Sequence, residues 1–568
     1  MDRDGIPAPG AFGPGAPLAP HSDGRWLAPA AVNDAVQMEV PGGRSVRAFR
    51  NRPKTYDAMF RAAVARNPEQ EAVVCGDRRL TYGELDRLVE QTAYGLIADG
   101  VAPGDRIAVM LDNRLEYLVA ILAAVRAGGI AVPLGTRLGP MDVAHIVDNA
   151  APVLAVTAQA WADRFPVGSS IRKVRQVDAA EGAHDAFGTL AEAEPRPLPE
   201  IDQHDVMLIV YTSGTTGKPK GACLTHFNFV HTCLHYLYAL AIDRPQRSLL
   251  VVPGTHIAGF GPVMSVALAC GGAIVMMREF KAKAVLETIA RERITFAVLV
   301  PAMYQLCLMD PTFAEHDLSR WRYGVYGGAI MPPAVIARVA DLAPALRLIN
   351  AYGATETCAV CTIMPAEWTL RAPASVGLPL QCDDLRVVRE DDSEAPAGTP
   401  GELLIRGANV SPGYWQDPDA TARAFVDGFW RSGDVAARDA DGLVYVHDRL
   451  KDMINRGGFK VFSAEVENAL MSHDGVADCA VVGVPDPVLG EKTFALVQRR
   501  DRTTEAEMLR AYLKSRIADY KVPDFWLVDE APVPRNQNGK HQKAEVRRIA
   551  AEIQERSVRE TQGRESRR

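Results

Sequence analysis

The sequence predicts an α/β fold. It comprises a large N-terminal domain of layered α/β subdomains plus a β-rich subdomain, with a small mobile α+β C-terminal domain. Three observations predict it. The chain has 568 residues, more than one hydrophobic core usually organises, so at least two domains are expected. Strand and helix patterns alternate through Ile209 and again from Val298 to Asn350, the signature of layered and largely parallel sheets. Beyond Pro379 the texture changes to short strands between Gly, Pro and Asp turns. Arg449 to Phe459 then gathers charged residues and the Gly457-Gly458 pair into a hinge.

Residues 1–45 are rich in Pro, Gly and Ala and carry no sustained periodicity, so they are expected to form a disordered arm. The large domain is expected over 46–450, the small lid domain over 451–549 and a charged tail over 550–568. Within the large domain, Met59, Phe60, Ala63 and Val64 recur at helical spacing after Thr55, and Ala72-Val73-Val74 reads as a strand. Thr81 and Glu84 have capping-box spacing at the start of a helix that Leu85, Leu88, Ala93 and Leu96 continue to Gly100. Arg106 to Leu111 is a strand after turn residues. The apolar stretch Leu118 to Leu134 is broken by Arg126, Gly128-Gly129 and Pro133, so it predicts a buried helix leading into a strand rather than a membrane span. In the small domain, Ala480 to Val484 reads as a strand and Ala506 to Ile517 as a helix.

Composition excludes several classes of partner. A net charge of −7 argues against nucleic acid or an anionic membrane. Nine scattered cysteines suit a reducing compartment, and with no apolar segment after Met1 the expected location is cytoplasmic. Cys358 and Cys361 form one C-x-x-C without the further ligands of a zinc set, which favours packing over metal or redox chemistry.

Chemistry concentrates first in Tyr211-Thr212-Ser213-Gly214-Thr215-Thr216-Gly217-Lys218-Pro219-Lys220-Gly221, after the apolar strand Val206 to Val210. Glycines let the backbone approach a ligand, and hydroxyls, freed N–H groups and ammonium groups suit a polyphosphate. The spacing is not that of the common P-loop, since Gly214 to Gly217 is too short and Pro219 stands where Ser or Thr is required.

This segment resembles the phosphate loop of the adenylate-forming superfamily, and further stretches resemble that family's motifs in order over about residues 50–545. Asn350 to Thr357 is similar to its Y-G-x-T-E motif, Tyr326 to Ile330 to its glycine-rich strand end, and Ser432-Gly433-Asp434 to its ribose motif. Asp448 to Ile454 is similar to the hinge motif, and Pro534 to Lys540 to P-x-T-x-x-G-K, with Asn536 for the usual Thr. The resemblance implies binding of ATP through Thr212, Ser213, Gly214, Thr215, Thr216, Gly217, Lys218 and Lys220. It implies that Gly328, Ala329 and Tyr352 line the adenine site, that Asp434 and Arg449 hold ribose, and that Thr355 donates to the α-phosphate. Glu356, with Thr212, is implied for Mg2+. Lys451 would be the domain pivot, Gly458 would line the coenzyme A tunnel, and Lys540 would be the lysine of the adenylation step. Alone, Thr355-Glu356 also reads as a helix cap, Asp434 as a turn residue and Lys540 as a surface lysine.

Val252 to Phe260 has the His-x-x-Gly form of acyl- and aryl-CoA synthetases, where His256 would stand as gate or wall by the carboxylate; a satisfied buried histidine is the plainer reading. No acidic residue is present there to pair an α-ammonium, so a free amino acid is an unfavourable substrate. The expected activity is an ATP-dependent carboxylic acid–CoA ligase. The acid is expected to be a medium- or long-chain fatty acid, with an aryl acid as the alternative. A stand-alone ligase loading a carrier protein, an oxidative luciferase-like enzyme and a non-catalytic binding module stay open. The partners implied are a small carboxylic acid, ATP and coenzyme A, without nucleic acid or an integral membrane segment, and a homodimer is left open.

Overall fold

A computed structural model describes residues 36–180, 183–212, 218–535 and 541–553. The chain forms two compact units. The first comprises Met1–Arg386, Leu404–Arg431 and Asp439–Val444, and the second Val387–Leu403, Ser432–Arg438 and Tyr445–Arg568.

In the first unit a six-stranded sheet runs in the order Lys220–Thr225, Val206–Thr212, Ile130–Pro133, Arg106–Met110, Leu154–Thr157, Lys173–Gln176. It is parallel except for the edge pair Val206–Thr212 and Lys220–Thr225, an antiparallel hairpin in which Thr212 faces Lys220. The strands that flank the glycine-rich stretch are therefore antiparallel neighbours. Parallel neighbours need a crossover, and the helix Leu115–Arg126 supplies one between Arg106–Met110 and Ile130–Pro133. This helix is buried along its whole length. Its one guanidinium, on Arg126, is 1% exposed and is held by Asp57 at 2.8 Å and Asp86 at 2.7 Å, which is how a buried charge is tolerated.

The same unit holds a nine-stranded sheet in the order Leu378–Pro379, Thr362–Ile363, Arg347–Tyr352, Tyr323–Tyr326, Phe296–Leu299, Arg247–Leu250, Ala273–Met276, Glu71–Cys75, Arg78–Thr81. Its central strands, from Arg347–Tyr352 to Glu71–Cys75, are all parallel. The capping box expected at Thr81 and Glu84 is present at the start of Tyr82–Ala98.

Residues 36–45, expected within the disordered arm, are ordered instead. Val36–Glu39 pairs antiparallel with Val46–Phe49, and the intervening Pro41-Gly42-Gly43 forms a tight turn. The remainder of the arm lies outside the described residues. The stretch 46–450 contributes to both units. The strands Asp383–Val388, Gly401–Gly407 and Phe429–Arg438 each carry residues of both units. A change of sequence texture marks where short strands begin, but it carries no information on which core each end of a strand joins.

The C-terminal part of the second unit is built on a sheet in the order Phe459–Val461, Ile454–Arg456, Gly490–Arg499, Val476–Asp486, with Phe525–Asp529 parallel to Gly490–Arg499. Side chains alternate across it, as period two requires. Cys479, Val481, Ala495 and Val497 pack toward the helices Ser463–Met471 and Ala506–Lys514, while Ala480, Val482, Phe494 and Leu496 pack on the opposite face. Helix 543–553 closes that second face through Val546 and Ala550. Residues 550–553, expected in the charged tail, therefore belong to the fold, because Ala550 and Ile553 continue an apolar helical stripe.

Candidate active site

The nine-stranded sheet gathers three of the marked stretches at one edge. Val251 to His256 follows Arg247–Leu250, Gly327 to Ile330 follows Tyr323–Tyr326, and Gly353 to Glu356 follows Arg347–Tyr352. These strands are parallel, so all three stretches leave from carboxyl ends, the edge where open α/β sheets bind ligands.

The Tyr352-to-Glu356 turn is tightly built. Tyr352 closes its strand half-buried, and a 3-10 turn runs over Thr355–Thr357, with the Thr357 hydroxyl accepting from the Ala354 N–H at 2.9 Å. A Cβ on Gly353 would stand 2.3 Å from the Ala359 carbonyl oxygen, so only glycine lets the chain pass there. Thr355 and Glu356 are 6% and 7% exposed.

Three segments meet at Glu356. Its backbone carbonyl accepts from the Ser411 N–H at 2.7 Å, and its carboxylate Oε1 accepts from the Tyr414 hydroxyl at 2.9 Å. Burial, and after it the charge of Glu356, pushes the Tyr414 phenol well up, so the hydroxyl keeps its proton and remains a donor. The Lys220 ammonium lies 5.3 Å from the centre of the Tyr414 ring. Segment 411–415 runs alongside the hairpin strand: Cys223 N–H donates to Gly413 at 3.0 Å, Trp415 N–H to Gly221 at 2.7 Å, and the Ser411 hydroxyl to Cys223 at 2.8 Å. Lys220, at the base of the glycine-rich loop, is thus linked through Tyr414 to Glu356. Lys218 is exposed beside it, and the Thr212 hydroxyl lies 3.5 Å from the Lys220 carbonyl. Ser213, Gly214, Thr215, Thr216 and Gly217 lie outside the described residues.

Tyr414 was not among the residues marked from sequence. The signal available was the aromatic pair Tyr414-Trp415 directly after Gly413, but its partner Glu356 lies 58 residues away.

His256 is half-buried and caps the short helix Ile257–Gly259, its Nδ1 accepting from the Ala258 N–H at 3.3 Å. Gly328 and Ala329 are exposed just beyond their strand. Cys358 and Cys361 are buried free thiols, and burial pushes the Cys358 thiol well up. Among the described residues, no three His, Cys, Asp or Glu side chains gather to hold a metal. A single buried carboxylate suits magnesium, which keeps several waters and takes other ligands from phosphate oxygens.

In the second unit Asp434 is 3% exposed and accepts from Arg449 Nε at 2.7 Å, while Arg449 also donates to the Ser432 carbonyl at 3.1 Å. The two residues assigned to ribose are therefore brought together as an acceptor and a donor. Lys451 is exposed, and its carbonyl accepts from Arg547 at 3.3 Å. Gly457 and Gly458 turn the hairpin Ile454–Arg456/Phe459–Val461, with φ of 59° and 87°, the pair of positive values that a two-residue turn of this hand demands. Lys540 lies outside the described residues. Its flanks are held by Asp478, which accepts from Arg535 at 2.8 Å and pairs with His541 at 3.0 Å.

Residues 60–415 match the AMP-binding enzyme family, and residues 465–540 match the AMP-binding enzyme C-terminal domain. The chain belongs to the AMP-binding enzyme family. It is 38% identical over 484 residues to the feruloyl-CoA synthase of an Amycolatopsis species, across 85% of this chain and 96% of that one. It is 33% identical to the long-chain-fatty-acid–CoA ligase FadD13 of Mycobacterium tuberculosis, across 86% and 97%. Among solved structures it is similar to the o-succinylbenzoate CoA synthetase MenE of Bacillus subtilis in complex with its acyl-adenylate intermediate. The TM-score is 0.78 and the identity 26%, over 86% of this chain and 97% of that one. This AMP-binding enzyme is an acid–thiol ligase of the acyl- and aryl-CoA synthetase branch, with ATP and coenzyme A as co-substrates.

Proposed function

We propose that the enzyme joins coenzyme A to a monocarboxylic acid with an apolar body, an aryl acid of the hydroxycinnamate type being the favoured substrate. The observation that carries the first part is the charge content of the site edge. Val251 to Phe260, Tyr326 to Met331 and Asn350 to Thr355 contain no Asp, Glu, Lys or Arg. A second charge on the acid would lose its water there without a partner, at a cost of several kcal/mol as an order of magnitude, roughly as for any unpaired buried ion. The 38% identity to a feruloyl-CoA synthase supports the aryl choice. The fatty-acid reading keeps separate support in the 33% identity to FadD13.

In the first half-reaction the carboxylate oxygen attacks the α-phosphorus of ATP and pyrophosphate leaves. In the second the thiol of coenzyme A attacks the acyl carbon and AMP leaves. Both reactants of the first step are anions, so the residues must offset charge and hold the attack in line. Lys218, Lys220 and the hydroxyls of Thr212, Ser213, Thr215 and Thr216 are assigned to the phosphates, Thr355 to the α-phosphate, and Lys540 to the carboxylate and α-phosphate. Asp434 and Arg449 are assigned to ribose, Tyr352, Gly328 and Ala329 to the adenine side, His256 to the acid, and Lys451 and Gly458 to the hinge and thiol tunnel. Glu356 would hold magnesium, which when bound supplies positive charge to phosphate oxygens. Tyr414 would fix the orientation of that carboxylate. These assignments rest on the family resemblance together with the convergence of Lys220, Tyr414 and Glu356.

The test is pyrophosphate release from ATP over a panel of hydroxycinnamic, indolic and fatty acids, with and without coenzyme A, with mass detection of the thioester. The aryl reading expects hydroxycinnamates to give the highest kcat/KM. A ten-fold or larger preference for a fatty acid overturns it, and release without any coenzyme A thioester points to a carrier protein as acceptor.

A further inference from the structure

We propose that the N-terminal hairpin, which lies before the stretch matched by the family, is a strap whose Arg44 positions Glu356. The family match begins at residue 60, and the hairpin Val36–Glu39/Val46–Phe49 precedes it. At its turn end, Arg44 donates to two backbone carbonyls of the segment that carries Tyr414: to Ser411 at 2.9 Å and to Val410 at 3.1 Å. Such charge-assisted bonds are about twice as strong as neutral ones. The same Ser411 donates its N–H to the Glu356 carbonyl, and its hydroxyl to the Cys223 carbonyl of the loop hairpin. Three residues later the Tyr414 hydroxyl reaches the Glu356 carboxylate. Arg44 therefore helps to fix the segment that holds both the backbone and the side chain of Glu356, beside Asn228, which donates to the Ala408 and Val410 carbonyls at 2.8 and 3.1 Å.

The other end of the hairpin is anchored elsewhere. Arg52 donates to Glu39 and Gln203, and Phe49 N–H donates to His231. These bonds keep the strap on the unit without touching segment 408–414. Arg44 is thus a positioning residue that acts through Ser411 and Tyr414. The inference rests on the proposed magnesium role of Glu356.

The test uses the full chain with Arg44→Ala, Arg44→Lys, Arg52→Ala and Glu356→Gln, and reads the half-saturating magnesium at fixed ATP, the KM of the acid, and the thermal midpoint. Partners of a metal ligand typically affect affinity about ten-fold, so Arg44→Ala is expected to raise half-saturating magnesium by about that factor, with the acid KM unchanged. Arg44→Lys keeps the charge but reaches one carbonyl at a time, and is expected to fall between the two. Arg52→Ala is expected to lower the thermal midpoint with little change in magnesium dependence. An unchanged magnesium midpoint in both Arg44 variants, or equal changes in Arg44→Ala and Arg52→Ala, overturns the inference. If Arg44→Ala does not fold, the Arg44→Lys comparison decides it. Glu356→Gln must raise half-saturating magnesium at least as much as Arg44→Ala; if it does not, the reading of Glu356 fails rather than the strap.

Discussion

The Tyr414 hydroxyl donates its proton to Glu356 and its ring lies against Lys220, so one side chain touches both a lysine of the glycine-rich stretch and the proposed metal carboxylate. Tyr414→Phe keeps the ring and removes only the donor. It should raise half-saturating MgATP about ten-fold, as outer partners of metal ligands do. The stability cost should be about 1 kcal/mol, the usual worth of one hydrogen bond, read from urea unfolding. Gly353→Ala is expected to act the other way, through the backbone. The new methyl would meet the Ala359 carbonyl at 2.3 Å, and overpacking of this kind costs about 1–3 kcal/mol. Asp434→Asn should spare stability, because its partner Arg449 is 44% exposed and such a pair contributes little. Its effect is expected in the KM of ATP, with the acid KM unchanged.

At the scale of elements, the helix His226–Ala239 is unusual in burying every residue, and its histidines tie distant segments to it. His226 accepts from the Tyr56 N–H at 3.1 Å, His231 from Phe49 at 3.1 Å and His235 from Cys382 at 3.3 Å. Accepting requires the neutral ring. Burial lowers His226 to about 4 and His235 to about 3, and holds His231 well below the ordinary range. The folded values lie below the unfolded one of about 6.5, so the unfolded chain takes up protons first as pH falls. Their contribution is complete above about pH 6.5 and is lost as pH falls toward each folded value, about 4 for His226 and about 3 for His235, by at most about 1.4 kcal/mol per pH unit for each ring. Urea unfolding at pH 7, 6 and 5 should give steadily falling stability, and a smaller slope in His226→Gln. A flat profile would contradict the neutral-acceptor account.

This helix also marks the limit of what the sequence made legible. The capping box at Thr81, the buried helix before Ile130 and the strand before the glycine-rich loop follow from local spacing, and the structure has them. The histidine contacts, the Arg44 strap and the Tyr414–Glu356 bond join residues from 58 to 367 positions apart, and no periodicity announces them. Residues 36–45 were hidden differently. Their Pro and Gly turn dilutes a four-residue strand whose stability comes from pairing rather than composition.

At the scale of the whole molecule, the chain forms two compact units, with Lys220 and Glu356 in the first and Asp434, Arg449 and His541 in the second. Adenylate formation and thiol attack make different demands on one site, and the proposed function gives Lys540 to the first alone. Lys540→Ala should then abolish pyrophosphate release while leaving thioester formation from supplied acyl-adenylate within a few-fold of normal.

The most direct test of the ligase account is a single turnover with enzyme in excess, followed by mass detection of nucleotides and acyl species. Acid and MgATP alone should give pyrophosphate and an acyl-AMP held by the enzyme, and later addition of coenzyme A should convert that species to thioester and AMP. Formation of ADP and phosphate, or thioester appearing without a preceding acyl-AMP, would contradict it.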